Sequence, residues 1–243
     1  MKSTLTLPSL LSLCLFSTLT FAQVSPDIEF GKIKQKKIRS LMLKNDLHQS
    51  YDFEHLQEVC TLTEEKETYS RHTKTFYVHD SIENVWKTYC TISPKQSWCG
   101  KMVSFGTLFN SSSKPLIYAN DPYEGLKVGQ ILFIQLKLFK GLYKLAVAHK
   151  VTGIDAEKKL IQICYLKNGA SAGSQYIKMR TLENGYTEIV HETFYRSKSK
   201  FRDARIYPKI HEKVISEFHE NVASKIIAGS VSETYMEGNS EDK

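Results

Sequence analysis

The sequence predicts an α+β domain in which a curved antiparallel sheet wraps around a long C-terminal helix. Three observations carry this. A strand-like run at 72–79 is followed at once by a short capped helix, 81–90. Strand-like segments with tight turns between them fill roughly 130–195, and strands joined by short turns run antiparallel to their neighbours. A single amphipathic helix closes the domain at 206–228. The length, 243 residues, suits one domain. A hydrophobic content of 41% with 24% charged residues allows a core and excludes disorder by composition.

The elements follow in order. Residues 1–22 read as a signal peptide: Lys2 supplies the positive start, Leu7 to Phe21 is apolar, and Ala22 offers a small residue at the cut. Residues 23–71 form an N-terminal extension with helical spacing at Ile33, Lys37, Ser40, Leu41 and Leu47, and a second short helix is expected over 52–59. From Thr73 to His79 the period is two, with β-branched and aromatic residues, which predicts a strand. Asp80 is the expected cap of the next helix and Glu83 its capping-box partner. Ile82, Val85, Trp86 and Tyr89 then share one apolar face. Pro94 ends this helix or starts a turn, so that a short helix pair follows the first strand.

Strands are predicted over 102–109, 129–139, 143–154, 159–166, 174–182 and 186–195. The turns at Lys140-Gly141, 155–158, Asn168-Gly169 and 183–185 separate the last five. Pro208 suits a helix start, and Ile210, Val214, Ile215, Phe218, Val222, Ala223 and Ile226 make one stripe. Gly229 is the expected stop, and 229–243 the expected disordered tail. The domain proper is thus 72–228.

Two stretches carry a family resemblance. Thr75-Phe-Tyr-Val-His-Asp-Ser-Ile-Glu-Asn-Val-Trp86 resembles the opening strand and first helix of the START-like superfamily, the helix-grip fold shared with polyketide cyclases and the birch-pollen allergen. Glu192-Thr-Phe-Tyr-Arg-Ser197 followed by Arg205-Ile-Tyr-Pro208 resembles the last strand and the start of the final helix in an uncharacterised branch of it. The resemblance implies a cavity between sheet and helix that takes hydrophobic molecules. It does not imply a reaction.

The residues expected to line that cavity are Phe133, Tyr165, Tyr176, His191, Tyr195, Val214, Phe218 and Val222. Alternation puts His191, Thr193 and Tyr195 on one sheet face and Glu192 and Phe194 on the other, and leaves open which is inward. Arg180 and His149 also lie on the predicted sheet. No catalytic residues, metal ligands or cofactor are assigned. Gly169-Ala-Ser171-Ala-Gly173 matches the hydrolase G-x-S-x-G pattern, but strands flank it where the motif needs a strand-to-helix turn. Of eight histidines, His211 and His219 fall on the last helix, two turns apart and too distant for one ion; they read as a solvated flank. Asn110 opens a glycosylation sequon.

With Cys14 removed in the leader, Cys60, Cys90, Cys99 and Cys164 permit two disulfides in three connectivities. Cys90–Cys99 is the preferred pair, with four free thiols as the alternative, and nothing local joins Cys60 to Cys164. The net charge of +7 is spread, with denser clusters at Lys32–Arg39 and Arg196–Arg202. Neither carries a nucleic-acid motif. The first makes an anionic membrane surface a candidate partner, and the second is placed to line a cavity mouth. The resulting expectation is an exported protein, periplasmic or secreted, that binds a hydrophobic small molecule or lipid. A pocket enzyme of cyclase, dehydratase or hydrolase type, with His191 as acid or base, is the alternative, together with a non-catalytic interaction module. Oligomeric state is not assigned.

Overall fold

The computed structural model describes residues 28–47, 53–110 and 116–238, with side chains to residue 229 in the last helix and without that of residue 54. The expected signal peptide, most of the sequon and the last five residues lie outside this range. Helix α1 spans Lys36–Lys44, strand β1 Glu58–Val59 and strand β2 Ser70–Val78. Helices α2, Ile82–Thr91, and α3, Pro94–Ser97, follow. The remaining strands are β3 (Val103–Phe109), β4 (Leu116–Ile117), β5 (Ile131–Leu138), β6 (Tyr143–Asp155), β7 (Leu160–Leu166), β8 (Ala172–Thr181) and β9 (Thr187–Arg196). A π turn at Arg202–Ile206 leads into α4, Tyr207–Gly238.

Among the described residues the strands form one unclosed antiparallel sheet in the order β2-β9-β8-β7-β6-β5-β3-β4, with β1 added against β7. The first and last long strands, β2 and β9, are neighbours, which brings both ends of the domain to one edge of the sheet. Helix α4 lies across the inner face. Its Val214, Phe218, Val222 and Ile226 are buried in one core with α2 and with Ile134, Ile161, Ile177 and Ile189 of the sheet. This is the helix-grip arrangement.

The outer face is also dry. Ile33, Ile38, Met42 and Leu47 of the N-terminal extension are fully buried against Phe109, Ile131, Phe133 and Ala148. Burial on both faces explains why β5 reads as a nearly continuous apolar run. Gly106 permits the contact with α1: a Cβ there would lie 2.3 Å from Ile38 Cδ1.

Four details depart from the sequence expectation. Ser81, not Asp80, is the N-cap of α2, accepting from Asn84 N–H at 3.3 Å; Asp80 accepts from Ser81 N–H and the Asn84 amide. Residues 58–59 are a strand, not part of a helix, because they complete the edge of β7. Helix α4 runs through Gly229 to Gly238, so that ten residues expected in the tail are helical. A lone exposed glycine costs a helix about 1 kcal/mol but does not end it without a left-handed turn.

The fourth is the disulfide. Cys60 is bonded to Cys164, with Cα atoms 5.1 Å apart, while Cys90 and Cys99 are free thiols. The reason is register: β1 pairs Val59 with Tyr165, which sets the next residue beside Cys164. The bond closes a loop of 104 residues and ties the extension to the sheet. A loop near that length is worth up to about 4.7 kcal/mol in the chain-entropy account, and removing a native disulfide costs about 2–5 kcal/mol. Cys60→Ser should therefore lower the denaturant midpoint strongly, whereas Cys99→Ser should leave it within about 0.5 kcal/mol of the parent. Equal stability of the two variants would contradict the assignment.

Candidate functional site beneath the C-terminal helix

Between the inner face and the start of α4 lies a cavity of about 730 Å³. Its apolar walls are Ile134, Leu136 and Leu138 from β5, Leu145 and Val147 from β6, and Ile210 and Val214 from α4. Period two on the strands and the helical stripe turn these side chains to one side. A smaller void of about 60 Å³ lies against Trp98, His149, Gln175, His191 and Phe218.

The polar groups on the wall are few and paired. Tyr165 and Tyr207 face each other hydroxyl to hydroxyl. Burial pushes Tyr165 up to about 12 and Tyr207 well above the usual phenol range, so both stay protonated. One hydroxyl donates to the other, which leaves one phenolic proton for a bound molecule. Tyr207 also stacks on Tyr195 at 3.6 Å, and the Tyr195 hydroxyl donates to the carbonyl of Asp203 at 2.9 Å.

Behind the tyrosines five histidines form a hydrogen-bonded chain with Gln175 at its centre. The Gln175 amide donates to His149 Nε2 at 3.0 Å. Its carbonyl accepts from His191 Nε2 at 2.9 Å and from His211 Nε2 at 3.4 Å. His191 Nδ1 then accepts from His219 Nε2 at 2.9 Å, and His219 Nδ1 accepts the Tyr89 hydroxyl proton at 2.5 Å. At the other end His211 Nδ1 accepts from His72 Nδ1 at 3.2 Å. One tautomer per ring satisfies the whole chain, given the Gln175 amide orientation. All rings are neutral. Burial pulls His149 down to about 4 and His191 to about 3, and it holds His211 and His219 well below 6.5. Charging His149, His191 or His211 would also turn an acceptor into a donor facing another donor. No group of three His, Cys, Asp or Glu among the described residues is placed to hold a metal ion.

The mouth is cationic. Lys198 and Arg202 line it, and no acidic residue among the described residues lines the cavity. Arg202 donates to the Ala170 carbonyl at 2.9 Å and to Ser171 Oγ at 2.8 Å, which latches the start of α4 to the β7–β8 turn. Ser171 therefore faces a guanidinium, which cannot take a proton. Gly173 has φ +130°, and a Cβ there would sit 2.0 Å from the Phe194 carbonyl. The glycines of this G-x-S-x-G sequence serve backbone packing.

Of the residues expected to line the cavity, Tyr165 and Val214 do so. His191 and Phe218 border the smaller void. Tyr195 supports Tyr207 from behind, and Val222 is fully buried further along the helix core. Phe133 and Tyr176 are corrections. Phe133 packs on Phe53 under the N-terminal extension, and Tyr176 meets Phe194 edge-on at the outer face, because alternation sends them opposite to Ile134 and Gln175. His211 and His219 are buried, not a solvated flank, being 8% and 3% exposed. Glu192 and Arg180 also lie outside the cavity, Glu192 pairing with Arg71 and Lys178 and Arg180 with Glu188. Sequence reasoning missed Gln175 and Tyr207. A signal for Gln175 existed: the period that buries Ile177 and Met179 passes through it.

No protein-family model matches this chain, and no curated protein matches it. Solved structures with a similar chain path include norcoclaurine synthase from Thalictrum flavum bound to a transition-state analogue. That match has 14% identity and a TM-score of 0.49, covering 67% of this chain and 96% of that one. The crystal structure of Ara h 8.0201 is similar at 10% identity and a TM-score of 0.45, covering 66% and 99%. Major latex-like protein 151 from Panax ginseng is similar at 7% identity and a TM-score of 0.46, covering 65% and 97%. The fold assignment rests on this chain's own topology.

The histidine chain fixes the sign of the pH dependence. The folded state holds His149 and His191 below their ordinary 6.5, so the unfolded chain binds protons first. Their contribution is complete above pH 6.5 and erodes as the pH falls, towards about 4 for His149 and about 3 for His191. Urea midpoints should change little from pH 7.5 to about 6.5 and drop steadily from there to pH 5; a flat profile across that lower range would contradict the network. Gln175→Leu orphans ring nitrogens on His149 and His191, while His211 Nε2 keeps Thr193 Oγ1 at 3.5 Å, and it should cost about 1–3 kcal/mol for each group left unsatisfied, read by the same unfolding assay.

Proposed function

We propose that the protein binds a hydrophobic small molecule or lipid in the cavity between the sheet and α4. The observation that carries this reading is the wall composition: aliphatic side chains from β5, β6 and α4 around a few convergent hydrogen-bonding groups. Ligand sites have this character and occupy roughly 300–1,000 Å³. Burial of apolar ligand surface supplies the affinity, at about 25 cal/mol per Å² before ordering costs. The free phenolic proton of the Tyr165–Tyr207 pair and the Lys198 and Arg202 cations suit a cargo with an acceptor or anionic end at the mouth. Export to an oxidising compartment belongs to the same proposal. The apolar leader-like start and the Cys60–Cys164 bond both agree with it.

A pocket enzyme is the second reading, favoured by the neutral imidazoles of His149 and His211 on the wall. A base works best with a pKa near the working pH. His149, at about 4, is a weak one, and its Nε2 is already engaged by Gln175. Binding without turnover is therefore preferred.

A fluorescent anion with an apolar ring system, anilinonaphthalene sulfonate, is a suitable probe. Ile210→Trp adds bulk to the wall and should weaken its binding by at least about tenfold. Leu62→Trp, at an exposed position outside the lining, should leave it unchanged. Unaltered binding to a folded Ile210→Trp variant would place the probe, and the proposed site, elsewhere.

A further inference from the structure

We propose that the rim of this cavity is a docking surface for an anionic lipid bilayer. Of the eleven large apolar side chains exposed among the described residues, five belong to two short segments. Phe139, Leu142 and Tyr143 lie on the turn between β5 and β6, and Phe201 and Ile206 on the link from β9 to α4. Four of the five also line the cavity mouth. Leu142 does not; it is 91% exposed and stands clear of the fold. Scattered exposed apolar residues need no explanation, but a group contiguous with a ligand cavity marks an interaction site.

The charges around this group choose the partner. Lys140, Lys144, Lys198, Lys200 and Arg205 are exposed on the same two segments. None makes an ion pair among the described residues. The one acid there, Asp203, is buried and accepts from the backbone and hydroxyl of Ser197. Aromatic and aliphatic side chains with lysines beside them match a bilayer interface, where rings settle at headgroup level and ammonium groups meet anionic lipid.

The backbone gives an independent sign. Phe139, Lys140 and Gly141 have φ of 50°, 57° and 90°. Only the glycine adopts this region freely, so a bulky aromatic is held there against its preference and turned 69% into solvent. The other basic cluster differs. Ile33, Ile38 and Met42 beneath it are spent on the sheet, Lys32 pairs with Glu29, and Arg39 donates to the Ile33 carbonyl. On α1 the one large apolar side chain left exposed is Leu43, and it is not contiguous with the cavity lining. Docking at the rim would point the cavity mouth at the membrane, where a lipid-like cargo enters or leaves; to that extent the inference builds on the cavity reading.

The test is vesicle flotation with the full-length chain, using phosphatidylcholine alone or mixed with phosphatidylglycerol. Solution binding of anilinonaphthalene sulfonate is measured beside it on each variant. The protein should float with the anionic vesicles, and rising salt should release part of it. Leu142→Asp, and separately the triple change Lys140→Glu, Lys144→Glu and Lys200→Glu, should each lower vesicle binding by at least about tenfold. Melting temperature and probe binding should hold, since none of these residues lines the cavity. Lys34→Glu with Lys37→Glu should float like the parent. Several outcomes overturn the surface: no flotation, equal flotation on neutral vesicles, no loss in the rim variants, or loss in the extension variant. A rim variant that instead loses binding to a protein partner, with no vesicle binding in the parent, also overturns it. Failure to float while the probe still binds removes the docking surface alone; failure of the parent to bind the probe removes the cavity reading.

Discussion

The seating of α4 on the inner face is the constraint on which the rest of the molecule depends. An apolar stripe on an apolar sheet can slip by a turn, 5.4 Å in an ideal helix, and still bury similar area. Here two histidines on the helix enter the hydrogen-bonded chain through Gln175 and His191, and slipping would orphan both. Phe218 stacks on Trp98 at 4.3 Å, Glu217 accepts from the backbone of Met102, and Asn221 donates to the carbonyl of Ser97. Polar pairing sets the register and apolar burial supplies the energy. The cavity exists because these contacts cluster from residue 211 onward, while the first turn of α4 is held off the sheet by Tyr207 and the Arg202 latch.

The same arrangement explains the division of labour in the interior. Near the mouth the walls are aliphatic, and the polar groups are two protonated phenols with the Lys198 and Arg202 cations and neighbouring serines. Deeper in, five imidazoles are held neutral by one another and by burial. An unpaired polar group in that environment is costly, so the chain must be complete to be tolerated. A complete chain has little capacity left for chemistry.

Much of the fold was legible in the sequence because it is written locally. Period two over 134–139 and 186–195, the small turn residues between strands, and the stripe from Ile210 to Ile226 each depend only on neighbours along the chain. What was missed depends on partners far away. Cys60 and Cys164 meet only through a two-residue strand added to β7. The inward face of β5 cannot be chosen from strand alternation, because the extension makes both faces apolar and so hides that Phe133 points away from the cavity. On β8 the choice is legible: Ile177 and Met179 are buried and Lys178 exposed, which turns Gln175 inward and Tyr176 outward. His211 was more accessible: it precedes Ile215 by one turn and Val222 by about three, at the centre of the stripe. Reading it as a flank gave residue type more weight than position.

Native mass spectrometry of the protein as purified, followed by denaturing extraction, decides whether the cavity beneath α4 carries a cargo. A loaded cavity gives a folded species heavier than the polypeptide by one small molecule, and an apolar compound in the extract. A folded protein of bare polypeptide mass that also takes up nothing from a lipid extract would contradict the binding reading.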